Sequence, residues 1–213
     1  MNRYPVAAPA LAVPSSTPGA RRHRSSERGA FAVEFALVIL VFFTFVFSIM
    51  EVSRAFYLWN TLQEVTRRAA RDAAVTDFSD AIAMQNLRRR AILRDTPGTL
   101  TLGDPVDEQY VRIDYLSLQN DSNRTLKQVV IPAGLLPACP TRNTLICTAR
   151  PGDPGCIRMV RVRICAPGTG TECAPVPYET LLPLVNLGVN LPVAETIVRA
   201  ESLGYVPGAP TCN

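Results

Sequence analysis

Apolar and polar positions divide the chain into four textures. Residues 1–20 are rich in Ala, Pro, Ser and Gly and show no apolar period, the pattern of an extension without a packed core. Residues 21–29, RRHRSSERG, form a basic cluster. Ala30 to Met50, AFAVEFALVILVFFTFVFSIM, carries one charge, Glu34, and neither Pro nor Gly. At ~1.5 Å per residue that run spans ~30 Å, the hydrocarbon thickness of a bilayer. Backbone groups in lipid must be satisfied within their own segment, so the run is expected to be a helix. A cleaved secretory signal would have a shorter apolar region and an Ala-x-Ala-like site after it. Here the run is followed by Glu51-Val-Ser-Arg54-Ala-Phe-Tyr57. A buried core helix is rarely this apolar on every side. A membrane anchor is therefore expected.

The helix is predicted to continue to about residue 74. Residues 51–75 contain no Pro or Gly. Val52, Ala55, Trp59, Leu62, Ala69 and Ala73 recur at spacings of three, four or seven and define a helical face. Glu64 and Arg68 stand four apart in the favourable order, and Tyr57 and Trp59 lie where interfacial aromatics collect. A second helix is predicted with Ser79 as its cap and Ile82, Met84, Leu87, Ala91 and Ile92 as its apolar positions. Arg88, Arg89, Arg90 and Arg94 crowd its end. Lipid headgroups or acidic partners are one use for them, and a solvated last turn beside the helix dipole is the simpler one. Thr96-Pro97-Gly98 ends it.

Beyond this the period shortens. Strands are predicted over 110–116, 126–131, 157–164 and 195–200. Nine of the eighteen Pro fall in residues 132–183, which marks that stretch as loop-rich. The expected class is α+β: a long N-terminal transmembrane helix, a short helix, then a small, mostly antiparallel β head. The expected organisation is a basic leader over 1–29, a membrane helix over 30–50, a helical continuation over 51–98 and a β-rich head over 99–213.

Composition sharpens this picture. Five Arg and one acid in residues 1–29 give the leader a net +4, and the remaining residues balance 17 bases against 17 acids. The basic excess thus belongs to the leader, and no nucleic-acid surface is expected on the body. By the positive-inside rule the N-terminus is cytoplasmic, although Arg54, Arg67, Arg68 and Arg71 after the helix dilute the signal. The single His, His23, lies in the leader, so neither a histidine-based metal site nor a Ser-His-Asp set is expected. No Gly-rich phosphate loop is present, and no cofactor is expected.

Cys139, Cys147, Cys156, Cys165, Cys173 and Cys212 all fall in the last 75 residues. An even number confined to the head reads as disulfides in an oxidising compartment, with fifteen pairings open. Zinc is the rival reading, and the chain has no C-x-x-C pair. Disulfides also place the head outside the cytoplasm. Asp104, Asp107 and Glu108 lack the spacing of a calcium loop and read as a solvated turn. Asn123-Arg-Thr125 is a formal glycosylation sequon.

The most informative segment is Glu27-Arg28-Gly29-Ala30-Phe31-Ala32-Val33-Glu34-Phe35-Ala36, in which a Gly abuts the apolar run and a lone Glu follows five residues later. It resembles a type IV prepilin processing site, cut after the Gly by a membrane prepilin peptidase. With its Glu-Phe pair, and with Glu51-x-x-Arg54-x-x-Tyr57 and Leu62-Gln-Glu-Val-Thr-Arg-Arg-Ala-Ala-Arg71 beyond the run, the segment is similar to the TadE-like family of minor pseudopilins. The resemblance covers about residues 28–76. It implies cleavage between Gly29 and Ala30, and a role for Glu34 and Phe35 in assembly. Glu34 would neutralise the new amino group of a neighbouring subunit. Without the resemblance, Glu34 reads equally as a first-turn carboxylate at the headgroup level, since a lone charge in lipid marks a functional position.

The resemblance further implies a structural, non-enzymatic protein of the inner membrane with a periplasmic head, supporting a tight-adherence (Flp) pilus. Its partners would be the peptidase, other pilins or pseudopilins, the Tad machinery and membrane lipid. TadF- and TadG-like roles are close relatives of this reading. The alternative from another class is an uncleaved single-pass protein whose extracytoplasmic head binds a ligand. A tethered enzyme is disfavoured by the lack of a recognisable catalytic constellation.

Overall fold

The computed structural model describes residues 26–121, 123, 125–168, 172–181, 188–210 and 212. The leader through residue 25, with His23 and four of its five Arg, lies outside the described residues. The chain divides into two compact units, Met1–Phe47 and Ser48–Asn213. The described part of the first is helical throughout, and its large apolar side chains from Phe31 to Phe47, the half-buried Val46 apart, are exposed. An apolar helix with no protein against it is what lipid, not water, would solvate. It is the one helix among the described residues long and apolar enough to cross a membrane.

That stretch belongs to α1, Ser26–Val75. The helix begins four residues before Ala30, so Gly29 lies inside it and not at its boundary. In the second unit α1 becomes one-sided. Leu58, Leu62, Val65, Ala69, Ala70 and Ala73 are buried, on a helical repeat. This face is rotated from the one the spacing defines. Leu62, Ala69 and Ala73 are where the spacing puts them, but Val52, Ala55 and Trp59 are exposed and Leu58 and Val65 take the core positions. The paired alanines toward the C-terminus keep that face flat. Thr66 Oγ1 lies 2.9 Å from Thr196 Oγ1, and the Ala74 carbonyl accepts from the amides of Glu201 and Leu203 at 3.0 Å. These bonds satisfy a carbonyl that the last turn leaves open.

The second helix, α2, spans Ala81–Ala91. Asp80, not Ser79, is its N-cap: its carboxylate accepts from the amides of Ile82 and Ala83, while the Ser79 hydroxyl donates to Asp77. Met84, Leu87, Ala91 and Ile92 are buried, but Ile82, in the first turn, is exposed. Gly204 closes the 202–205 turn at φ +80°, and a Cβ there would lie 2.6 Å from the Asp77 amide nitrogen, so only glycine fits.

Four strands form one antiparallel sheet: β1, Val111–Asn120; β2, Leu126–Val130; β3, Met159–Ile164; and β4, Glu195–Arg199. Their spatial order is β2-β1-β3-β4. Tyr115 pairs with Val160, and Val162 lies between Ile113 on β1 and Thr196 on β4. Val111, Tyr115, Val160, Val162 and Ile164 share the core with α1 and α2. Each predicted strand is present. The loop-rich stretch, however, holds a helix, α3, over Pro140–Ala149. Pro140 occupies its first turn, where a missing amide costs nothing, so the proline that marks a loop here starts a helix. The observed class is the expected α+β.

All six cysteines pair: Cys139–Cys212, Cys147–Cys156 and Cys165–Cys173, across separations of 73, 9 and 8 residues. Chain-entropy arguments give about 4 kcal/mol for the long closure and about 2.5 kcal/mol for each short one. Zinc is thereby excluded as the use of these thiols.

Two of the apolar positions of α2 make a direct contrast, Leu87 buried and Ile82 exposed. Leu87→Ala is expected to cost about 3 kcal/mol and Ile82→Ala less than about 0.5 kcal/mol, read as shifts in the urea unfolding midpoint of the detergent-solubilised chain.

Candidate functional site

Two places carry the residues singled out by sequence. The first is the N-terminal part of α1. Gly29 and Ala30 stand within the helix, and a Cβ built on Gly29 would meet nothing within 4 Å. A helical glycine costs about 1 kcal/mol against alanine, and no packing within the described chain requires it here. Glu34 is one turn beyond Ala30, at i+4. It is exposed and makes no ion pair with another described residue. Phe31 and Phe35 stack in parallel at 6.4 Å between ring centroids, both largely exposed. This surface therefore presents a carboxylate and two aromatic rings to its surroundings.

The second place lies just past the apolar run, in the other unit. Sequence reasoning reads Glu51 and Arg54 as a simple interfacial pair. They are instead a buried junction. Arg54 is 6% exposed. Its Nε donates to the Leu102 carbonyl at 2.8 Å, its Nη1 donates to the Glu179 carbonyl, and its guanidinium lies 5.2 Å from the Tyr178 ring centroid. Glu51 Oε1 is 3.5 Å from Arg54 Nη1 and accepts the Tyr178 hydroxyl at 2.5 Å. The Leu181 amide donates to the other carboxylate oxygen at 3.3 Å. Burial, and then the hydrogen bond to the Glu51 carboxylate, push the Tyr178 hydroxyl up from its usual pKa, so it stays a donor. The i, i+3 spacing shows the pair, but nothing local in the sequence shows that residues 102 and 178–181 close over it.

The remaining charged candidates are committed elsewhere. Asp107 caps the short helical turn Glu108–Tyr110 through the Gln109 amide, Glu108 pairs with Arg89 at 3.4 Å, and Asp104 is exposed. Arg94 donates to the Thr99 carbonyl at 2.9 Å. Two of the four arginines near the end of α2 are therefore tied into the head and are not freely solvated. Glu64 and Arg68 form the expected exposed pair at 2.8 Å. Among the described residues no group of three His, Cys, Asp or Glu could hold a metal ion. Asn123 is exposed, and Arg124 in its sequon lies outside the described residues.

A further charged cluster is invisible to pattern reading because its members alternate with core residues on β1 and β3. Asp114, 8% exposed, accepts from Arg112, Arg161 and Arg163 at 3.1, 3.0 and 2.6 Å. Burial alone would raise its carboxyl, but the hydrogen bonds from Arg163, Arg112 and Arg161 outweigh it and hold the group below the usual carboxylate range. The cross-strand pairing of Asp114 with Arg161 makes this a clamp between the two central strands.

Residues 29–71, 43 of the 213, match a family model described as TadE-like protein. That family consists of proteins associated with the Tad pilus. No curated protein and no solved structure matches the chain. The match begins at the glycine and takes in Glu34, Phe35, Glu51 and Arg54, so it covers the first place and the α1 side of the second. The match and the exposed apolar helix mark a membrane-anchored, single-pass protein.

Arg54→Ala would leave two carbonyls without their donor and the Glu51 carboxylate without its counter-charge. It is expected to cost about 3 kcal/mol in chemical unfolding. Arg54→Lys should recover little of this, because one ammonium cannot reproduce the planar fork. For Asp114, a folded pKa below the unfolded value of about 3.9 adds stability that is fully present above that value. It is lost as pH falls through the folded value. Unfolding midpoints measured from pH 6 to pH 2 should show a drop below about pH 4 that is reduced in Asp114→Asn, which is itself about 2 kcal/mol less stable at pH 6.

Proposed function

We propose that this chain, TadE-like over residues 29–71, is a minor pseudopilin. It is made as a precursor, inserted with its basic leader in the cytoplasm, and cut between Gly29 and Ala30 by a prepilin peptidase. The observation that carries this reading is the conjunction at residues 29–35. A glycine that no internal contact requires is followed by an exposed glutamate one turn beyond the residue whose amine cleavage would free. A peptidase that must approach the backbone closely supplies a reason for the glycine. A carboxylate facing lipid costs a few kcal/mol unless it finds a partner. The freed amine on Ala30 of a neighbouring subunit supplies that partner, and the Phe31–Phe35 stack supplies apolar contact beside it.

The remaining parts follow. Residues 30–50 hold the mature chain in the inner membrane among other pilin-like helices and the Tad machinery. The disulfide-bonded head lies in the periplasm, where oxidation of its six cysteines is favoured. The role is structural support of Flp-type pilus assembly and uses no cofactor.

Substituting Gly29 with Phe in the native host tests this. The expected result is a precursor heavier by the 29-residue leader and a loss of pili. Glu34→Gln should leave the chain processed while reducing piliation. A Gly29→Phe chain of unchanged mass and full piliation would instead support an uncleaved anchor with a ligand-binding head.

A further inference from the structure

Within the unit Ser48–Asn213, one side of α1 lies along a groove of about 520 Å³. Val52 and Trp59 line it on the helix, and Val189 and Val193 line it opposite. The opposite wall is held by backbone hydrogen bonds from Tyr178 to Val189 at 2.9 Å and from Leu191 to Val176 at 2.8 Å. Its rim is bulky and open: Val52 is 55% exposed, Phe56 65%, Trp59 57% and Val193 74%. The only charge in its lining, Glu51, is already engaged by Tyr178, Leu181 and Arg54.

We propose that this groove and its rim are immersed in lipid, so that acyl chains of the leaflet from which α1 emerges fill the space between Trp59 and Val193. Continuity is the first argument. Ile49, Val52, Phe56 and Trp59 recur at spacings of three and four on the helix that carries the membrane run, and all are exposed. Length is the second. The ~30 Å of hydrocarbon spanned by residues 30–50 ends at the start of this patch. That depth puts Glu51 and Arg54 at the hydrocarbon edge, where sequestering the two charges against each other and against carbonyls removes the cost of placing them in lipid. Trp59 then falls in the interfacial layer that tryptophan favours. Side-chain size is the third argument. Helix seams in lipid select small residues for close approach, whereas this rim offers Phe, Trp and Val. The proposal rests on membrane anchoring and does not depend on cleavage at Gly29.

Trp59 is the only tryptophan in the chain, so it reports on the rim without modification. The full-length chain would be reconstituted into phosphatidylethanolamine–phosphatidylglycerol vesicles containing lipids brominated along the acyl chain. Trp59 emission should be blue-shifted, quenched by the bromines and protected from aqueous acrylamide. The paired variant W59F/V193W moves the probe to the opposite wall and should behave the same way. Should that variant not fold, lipids bearing a photoreactive acyl chain address the native chain. Adducts are expected on Val52–Trp59 and on Val189–Val193 but not on Leu126, an equally apolar residue 68% exposed on the sheet edge. Acrylamide quenching without bromine quenching at residue 193, or adducts confined to the helix, would overturn the proposal. Shielding from both quenchers that disappears on dilution into excess lipid would overturn it too, since a protein partner would then fill the groove.

Discussion

The fold turns on a guanidinium. Arg54 stands four residues past a membrane-length apolar run, and a charge at that depth is tolerable only when its hydrogen bonds are supplied from within. Two backbone carbonyls accept those bonds, and one carboxylate and an aromatic face lie against the charge. Because those partners come from residues 102 and 178–181, the charge draws two distant loops onto α1. Below this junction the helix is apolar on every side. Above it, one face is buried under the sheet and the other remains open. Along one helix, the Glu51–Arg54 pair thus stands where burial of one face begins.

The sheet repeats the same logic on a smaller scale. Asp114 gathers three arginines on the face opposite the core, while Val160, Val162 and Ile164 alternate with them toward α1. The three disulfides add covalent closures to the head. Cys139–Cys212 ties the far end of the chain to the start of α3, and the two short bridges pin the borders of β3.

Much of this was legible in the sequence because it is periodic. The apolar run, the four strands and the Leu62, Ala69 and Ala73 positions follow from spacing and hydropathy. What was not legible depends on the tertiary surroundings. The spacing of Val52, Ala55 and Trp59 is as helical as that of Leu58 and Val65, and only the position of the sheet decides which set is buried. Asp80 wins the cap from Ser79 because Asp77 engages the serine hydroxyl. Proline at residue 140 reads as a loop signal, yet it starts a helix whose Asn143 accepts the Ile157 amide. The junction at Arg54 escaped because its partners lie 48 and 125 residues away. At the N-terminal site, Gly29, Glu34 and Phe35 were legible as a motif, and the open space around the glycine adds that nothing inside the chain asks for it.

On the proposed function, cleavage after Gly29 leaves the apolar part of α1 as the mature N-terminus. The most direct measurement is the intact mass of the protein purified from membranes of its native host, with sequencing of its N-terminal peptide. A chain beginning at Ala30 is the predicted result. A chain that retains residues 1–29 while the cells assemble normal pili would contradict it.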